Sequence, residues 1–338
     1  MTIDVKSLTR SDFQTDQEVR WCPGCGDYTI LAAVQTYLAS LDIDRDKHVF
    51  VSGIGCSSRF PYYMNTYGMH TIHGRAPAIA SGIAMANPDL TVWVTTGDGD
   101  ALSIGGNHFI HALRRNVNLN IILFNNQIYG LTKGQFSPTS EFGKKTKTSP
   151  MGSIDRSFNP VSLALGAEAS FVARTIDIDR THTIAMLKAM HEHEGAGLLE
   201  IYQNCNVFND KAFADLTAKD TRDDNRVWLV DGEPIIFGKN DEYGITFDGQ
   251  GAKVVEVAEV GRDNIHVHNA GDPNPSVAFA LSRLAHGPYG PTPLGIFRNV
   301  PVPSYDRLLE QQIAQAQKKQ GPGDLAKVIR SRGTWTVE

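Results

Sequence analysis

The chain has 338 residues, 41% hydrophobic and 20% charged, an ordinary globular composition that can bury a core and amounts to roughly two domain-equivalents. Its 32 basic and 37 acidic residues leave a formal charge of −5, which disfavours a nucleic-acid or general polyanion surface, so an anionic ligand must be held by local geometry. No run approaches the apolar length of a membrane span, and the first 20 residues are polar and acidic rather than basic and then apolar, so a soluble, cytoplasmic protein without membrane contact is expected.

Residues 1–20 read as an N-terminal arm. Directly after it come Cys22 and Cys25 in W-C-P-G-C-G, followed by the isolated Cys56 and Cys205. Four cysteines are too few for a disulfide scaffold, and an even number in a reducing compartment points to a metal, the alternative being that Cys56 and Cys205 are small buried apolar residues. Ile30, Leu31, Val34, Leu38 and Leu41 keep a helical period. Strands are expected at His48–Ile54, Thr91–Thr96, Leu119–Phe124, Ser170–Arg174 and Leu198–Tyr202, with helices at Ala76–Ala86, Asn107–Arg115 and Thr181–His193. Such alternation specifies a parallel sheet with right-handed crossovers.

Lys133–Asn159 lacks periodicity and is too long for an ordinary connection, so it is expected to be functional or to touch a partner. Beyond Cys205 the pattern weakens. Val227–Phe237 reads as two strands around Asp231-Gly232, and Ser304–Gln320 ends in a polar helix. Residues 21–205 therefore form the expected chemical domain and 206–338 an irregular C-terminal extension with no internal repeat.

Ligands of open parallel sheets sit beyond the carboxyl ends of the strands. Those ends are followed by Gly53-Ile-Gly-Cys56-Ser-Ser-Arg59, Gly97-Asp98-Gly99-Asp100, Asn125-Asn126-Gln-Ile-Tyr-Gly-Leu131 and Gln203-Asn204-Cys205. The 25 residues between G-D-G and N-N equal one helix plus one strand, which places both motifs at one edge. Asp98 offers a hard carboxylate, Asn126 an amide oxygen and Ile128 a backbone carbonyl, a donor set suited to Mg²⁺ bridging a diphosphate. The amides of Gly99 and Asp100 can donate to phosphate.

The G-D-G…N-N pair resembles the thiamine diphosphate motif. With W-C-P-G-C-G, G-I-G-C-S-S, H-G-R-A, G-D-G-D and N-N-Q-I-Y-G-L-T, residues 20–210 are similar to the β subunit of 2-oxoacid:ferredoxin oxidoreductases. The resemblance implies an α/β, parallel-sheet thiamine diphosphate-binding fold with helices on both faces, plus the C-terminal extension. It implies thiamine diphosphate, Mg²⁺ on Asp98, Asn126 and Ile128, and one [4Fe–4S] cluster on Cys22, Cys25, Cys56 and Cys205. Cofactor contacts are implied at Gly55, Cys56, Ser57, Ser58, His73, Gly74, Gly99, Asp100, Gly130 and Leu131. The implied reaction converts a 2-oxo acid and coenzyme A to acyl-CoA and CO₂ with reduction of ferredoxin.

Thiolates serve both zinc and iron–sulfur centres. Only one C-x-x-C knuckle is present and the other two cysteines lie at distant strand ends, which suits a cluster better than zinc. Arg59 is a candidate clamp for a substrate carboxylate; His73 and Arg75 could orient the cofactor or simply cap a helix. The five histidines at 108, 111, 182, 191 and 193 are expected on solvated faces. 2-Oxoglutarate is the favoured acid, with pyruvate next; the rival classes are a non-redox thiamine lyase and a zinc-stapled interaction protein. An α subunit is expected to complete the cofactor site in an α₂β₂ assembly, contacting the Lys133–Asn159 loop and the tail.

Overall fold

The computed structural model describes residues 8–249, 251–284 and 290–337. Eight strands form the main sheet: β1 (His48–Ser52), β2 (Tyr67–His70), β3 (Thr91–Gly97), β4 (Leu119–Asn125), β5 (Phe171–Ile176), β6 (Ala196–Tyr202), β7 (Arg226–Leu229) and β11 (Thr292–Asn299). Their order is β2-β1-β3-β4-β6-β5-β11-β7. The first six run parallel, whereas β11 is antiparallel to β5 and parallel to β7. Three further strands, β8 (Ile236–Phe237), β9 (Tyr243–Phe247) and β10 (Ala252–Glu256), make a small antiparallel sheet.

The five expected strands of the parallel sheet are all present. β1, β4, β5 and β6 are buried along their whole length, as continuous apolar runs covered on both faces must be. One face carries the helices Ala76–Ala86 and Gly106–Arg115, whose Ala80, Ala84, Phe109 and Leu113 join Val51, Val94 and Ile121 in one core cluster. The other carries Asp27–Ala39 and Arg180–Glu192, which pack Ile30, Leu38 and Leu187 with Phe50, Trp93 and Phe124. Phe50 and Trp93 stack at 5.8 Å between ring centroids.

Beyond the five expected strands, the parallel sheet gains β2, which the sequence did not announce; all four of its residues are exposed, so no apolar run marks it. It matters topologically. The chain leaves β1 toward β2 on one side and resumes at β3 on the other, making the β1/β3 crevice a switch point of the sheet.

Two strands from beyond residue 205 join the main sheet. The strands on either side of Asp231-Gly232 are present but do not pair with each other: β7 lies against β11 and β8 against β9. Lys133–Asn159 contains no helix or strand.

Candidate active site

Four adjacent strands, β1, β3, β4 and β6, end at one edge, and the four quoted motifs follow them there. In the register, Gly97 lies opposite Phe124 and Asn125 opposite Tyr202. This sets Asp98, the Asn125-Asn126 turn and the Gln203–Cys205 segment side by side. One cavity is lined by Gly55, Cys56, Ser57, His73, Asp98, Gly99, Asp100, Asn126, Ile128, Gly130 and Leu131, eleven of the residues expected to hold cofactor or metal.

The cavity floor is built from carboxylates with unequal roles. Asp98 is buried, and desolvation pushes its carboxyl up to about 6 against the opposing pull of the Ser137 and Thr139 hydroxyls. Both hydroxyls donate to its Oδ2 at 2.5 Å. Asp100 is structural: it accepts from the amides of Ile54 (3.1 Å) and Gly74 (2.8 Å) and from the Thr96 hydroxyl (2.7 Å). It also sits 2.6 Å from Nδ1 of His73. The carboxylate thereby orients a partly exposed imidazole at the cavity wall.

The amide turn after β4 is shaped by its own side chains. Asn125 Oδ1 accepts from the Gln127 amide and Asn126 Oδ1 from the Ile128 amide, both at 3.2 Å. They hold Gln127 at φ +56, a left-handed conformation that such asparagine turns stabilise. Close approach also dictates glycines. A Cβ on Gly99 would fall 2.2 Å from the Tyr129 ring, whose hydroxyl donates to the Gly99 carbonyl at 2.9 Å. Gly74 has φ +72, and a Cβ there would meet the Gly105 backbone at 2.4 Å.

The cysteines gather beside this cavity. All four are free. The Cys22–Cys25 knuckle closes with the Cys25 amide on the Cys22 carbonyl (3.0 Å) and is tied to the end of β6 by the Gly26 amide on the Asn204 carbonyl (3.2 Å). The Trp21 indole donates to the Cys56 carbonyl at 2.8 Å. A Cβ placed on Gly130 would touch the sulfurs of both Cys56 and Cys205, at 3.5 and 3.6 Å. Burial, then the nearby Asp27 carboxylate, push the Cys56 thiol up to about 12, and the same causes raise Cys25. Such thiols need a metal to displace their protons. Among the described residues no group of three His, Cys, Asp or Glu side chains is set to hold a single metal ion.

Several expected residues lie outside the cavity lining. Arg59 does not reach it: its guanidinium faces the Arg20 carbonyl at 3.5 Å and lines a surface groove with Gln17, Glu18 and Tyr62. Its charge still pulls the Cys56 thiol down against the effect of burial. Arg75 is the N-cap residue of Ala76–Ala86 and donates to the Ile104 carbonyl at 3.3 Å. Ser58 is buried, with its carbonyl accepting from Ser52. Of the histidines expected on solvated faces, His182, His191 and His193 are partly buried and bonded to Thr175, Tyr37 and Ser170.

Asp27, Ser137, Thr139 and Gln203 were not singled out as site residues. Asp27, third residue after the knuckle proline's glycine, lines the cavity almost wholly buried, and burial pushes its carboxyl up to about 7. Neither of its oxygens has a hydrogen-bonding nitrogen or oxygen partner among the described residues. Its position inside C-P-G-C-G-D was the available signal; Ser137 and Thr139 had none, since a non-periodic loop hides which hydroxyls turn inward.

The mostly parallel sheet and its switch-point crevice are the architecture of a thiamine-diphosphate type of cofactor module. The family described as "Thiamine pyrophosphate enzyme, C-terminal TPP binding domain" matches residues 53–201. The chain is 55% identical to 2-oxoglutarate oxidoreductase subunit KorB of Mycobacterium tuberculosis, over 97% of this chain and 88% of that protein. It is 44% identical to the 2-oxoacid:ferredoxin oxidoreductase subunit beta of Saccharolobus solfataricus, over 63% of this chain and 69% of that one. It also superposes, with a TM-score of 0.76 and 32% identity across 98% of both chains, on 2-oxoglutarate:ferredoxin oxidoreductase from Magnetococcus marinus, whose structure holds 2-oxoglutarate, coenzyme A and succinyl-CoA. The chain belongs to the β subunits of the 2-oxoacid:ferredoxin oxidoreductases.

Proposed function

We propose that this β subunit serves a CoA-dependent 2-oxoglutarate:ferredoxin oxidoreductase, completed by an α subunit in an α₂β₂ assembly. Thiamine diphosphate is held through Mg²⁺ on Asp98, Asn126 and the Ile128 carbonyl, and a [4Fe–4S] cluster on Cys22, Cys25, Cys56 and Cys205. The observation that carries the reading is that the amide–carboxylate pair and all four cysteines meet at one sheet edge, with Cys56 and Gly130 common to the cavity and the cysteine group. Bound there, thiamine diphosphate supplies the electron sink for decarboxylation and the cluster a one-electron outlet.

The chain's own residues supply the rest. Ser137 and Thr139 hold Asp98, and Tyr129 and the small Gly99 shape the approach to the diphosphate. His73 stands at the cavity wall with its Nδ1 2.6 Å from the Asp100 carboxylate. Arg59 lines a surface groove outside the cavity, which favours substrate recognition from the partner surface. The choice of 2-oxoglutarate over pyruvate rests on the similarity to the mycobacterial and magnetococcal proteins.

The test is anaerobic purification of the chain with its co-expressed partner. Four iron and four sulfide per β chain, bound thiamine diphosphate, and CoA-dependent ferredoxin reduction faster with 2-oxoglutarate than with pyruvate are expected. A preparation with thiamine but without iron and sulfide favours a non-redox lyase and overturns the redox assignment.

A further inference from the structure

Between the amide turn and the cysteine knuckle stands Gln203, fully buried at the end of β6. Its backbone amide donates to the Asn125 carbonyl at 2.9 Å, continuing the β4–β6 ladder by one residue. Its side chain is used at both ends. Oε1 accepts from Asn126 Nδ2 at 2.8 Å, while Nε2 donates to the Asn204 carbonyl at 2.6 Å and to the Cys25 sulfur at 3.3 Å. The partners fix this orientation, because rotating the amide by half a turn sets two NH₂ groups against each other and an oxygen against a carbonyl oxygen.

We propose that Gln203 is a positioning residue that couples the two halves of the site, locking the Asn126 amide for the cation and donating a hydrogen bond to a cluster thiolate. With Nδ2 of Asn126 committed to Gln203, its Oδ1 stays on the side of the loop, where the Ile128 amide already meets it at 3.2 Å. Outer partners that orient a metal ligand in this way carry much of a site's affinity. At the other end, an N–H directed at a ligand sulfur withdraws charge from it, favours the reduced and more negative cluster, and so raises its potential. A single side chain thus bears on both cofactor retention and electron acceptance.

The inference rests on the cluster and cation assignments proposed above, and wild-type iron, sulfide and thiamine contents test those separately. The experiment compares Gln203→Met and Gln203→Glu in the complex with the partner subunit. It reads the cluster midpoint potential by EPR-monitored titration and the Mg²⁺ concentration that half-saturates thiamine diphosphate binding. Gln203→Met removes both functions at similar volume. Its potential should move negative and its Mg²⁺ requirement rise roughly 10-fold, at wild-type iron content. Gln203→Glu keeps an oxygen for Asn126, so its Mg²⁺ requirement should stay within about twofold while its potential moves negative through the loss of the donor and the added charge. Movement of neither quantity, or of only one, in an iron-replete Gln203→Met protein overturns the coupling. Should that variant lose iron, Gln203→Glu decides: an unmoved potential, or a Mg²⁺ requirement raised as far as roughly 10-fold, refutes the assignment.

Discussion

Asp98 combines burial, which drives its carboxyl up to about 6, with two hydroxyls that pull it back. It is the one carboxylate in the proposed cation-ligand set, and removing it leaves the cysteines untouched. Asp98→Ala is expected to abolish Mg²⁺-dependent thiamine diphosphate binding, followed by quenching of tryptophan fluorescence, while the visible spectrum of the cluster persists. His48 carries a different kind of residue-scale prediction. It is wholly buried, accepts from the Trp93 indole at 3.4 Å, and burial, helped by His191, lowers its imidazole from 6.5 to about 4. Between those pH values the unfolded chain binds the proton that the folded chain refuses, so the stability this group contributes is present above pH 6.5 and is lost as pH falls toward 4. Unfolding free energies from denaturant titrations at pH 7 and pH 4.5 should fall more steeply in the wild type than in His48→Asn, by up to about 3 kcal/mol. Parallel behaviour of the two proteins would remove His48 from the acid response.

At the scale of elements, the informative segment is the one without regular structure. Lys133–Asn159 turns back on the site: Ser137 and Thr139 hold Asp98, Thr139 donates to Asn125 Oδ1 at 3.0 Å and Ser140 to the Gln127 carbonyl at 2.6 Å. Lys144 donates to Asn209 at 2.6 Å, and Asn209 donates in turn to the Asn126 carbonyl at 2.9 Å. A loop anchored at so many polar points behaves as part of the cavity floor rather than as a tether. Thr139→Val keeps the shape and deletes the donor, costing about 1–3 kcal/mol for a bond to a charged group. The expected outcome is a Mg²⁺ requirement for thiamine diphosphate binding raised roughly 10-fold or more, measured by the same fluorescence titration, with unchanged iron content. The loop's outer side mixes charged residues such as Lys145, Lys147 and Arg156 with exposed apolar ones. Phe142, Met151 and Ile154 are 70%, 93% and 85% exposed, and they are the loop's candidates for contact in the proposed assembly.

For the whole molecule, the C-terminal end repeats that theme. Helix Leu325–Arg330 has no buried residue, and Leu325, Val328 and Ile329 stand at i, i+3 and i+4 on one stripe, 74%, 67% and 67% exposed. A single amphipathic turn and a half gains nothing from this pattern alone. Replacing Val328 and Ile329 by Glu is expected to abolish co-purification with the partner subunit, read by size-exclusion chromatography, without shifting the melting temperature of the isolated chain. Retained assembly in that variant would move the contact elsewhere. No helix among the described residues is long and apolar enough to cross a membrane.

The sequence by itself determined the parallel sheet and most of the chemistry placed on it. Continuous β-branched runs bounded by glycine or asparagine leave little choice but buried strands, and a ligand edge follows from their common direction. The spacing of G-D-G and N-N is one crossover, so Asp98 and Asn126 were bound to be neighbours once both flanking strands were parallel. Tertiary structure alone decided which side chains turn inward. Gln203, Asp27, Ser137 and Thr139 acquire roles through partners distant in sequence, at separations that no period encodes. It also sent Arg59 to a groove and Arg75 to a helix cap, although both lie within motifs. β2, β11 and the pairing of β7 with β11 were hidden for the same reason: an exposed edge strand and a late pairing near the sheet's far edge are specified by backbone hydrogen bonds to neighbours already in place, and backbone pairing leaves no signature in the side-chain pattern.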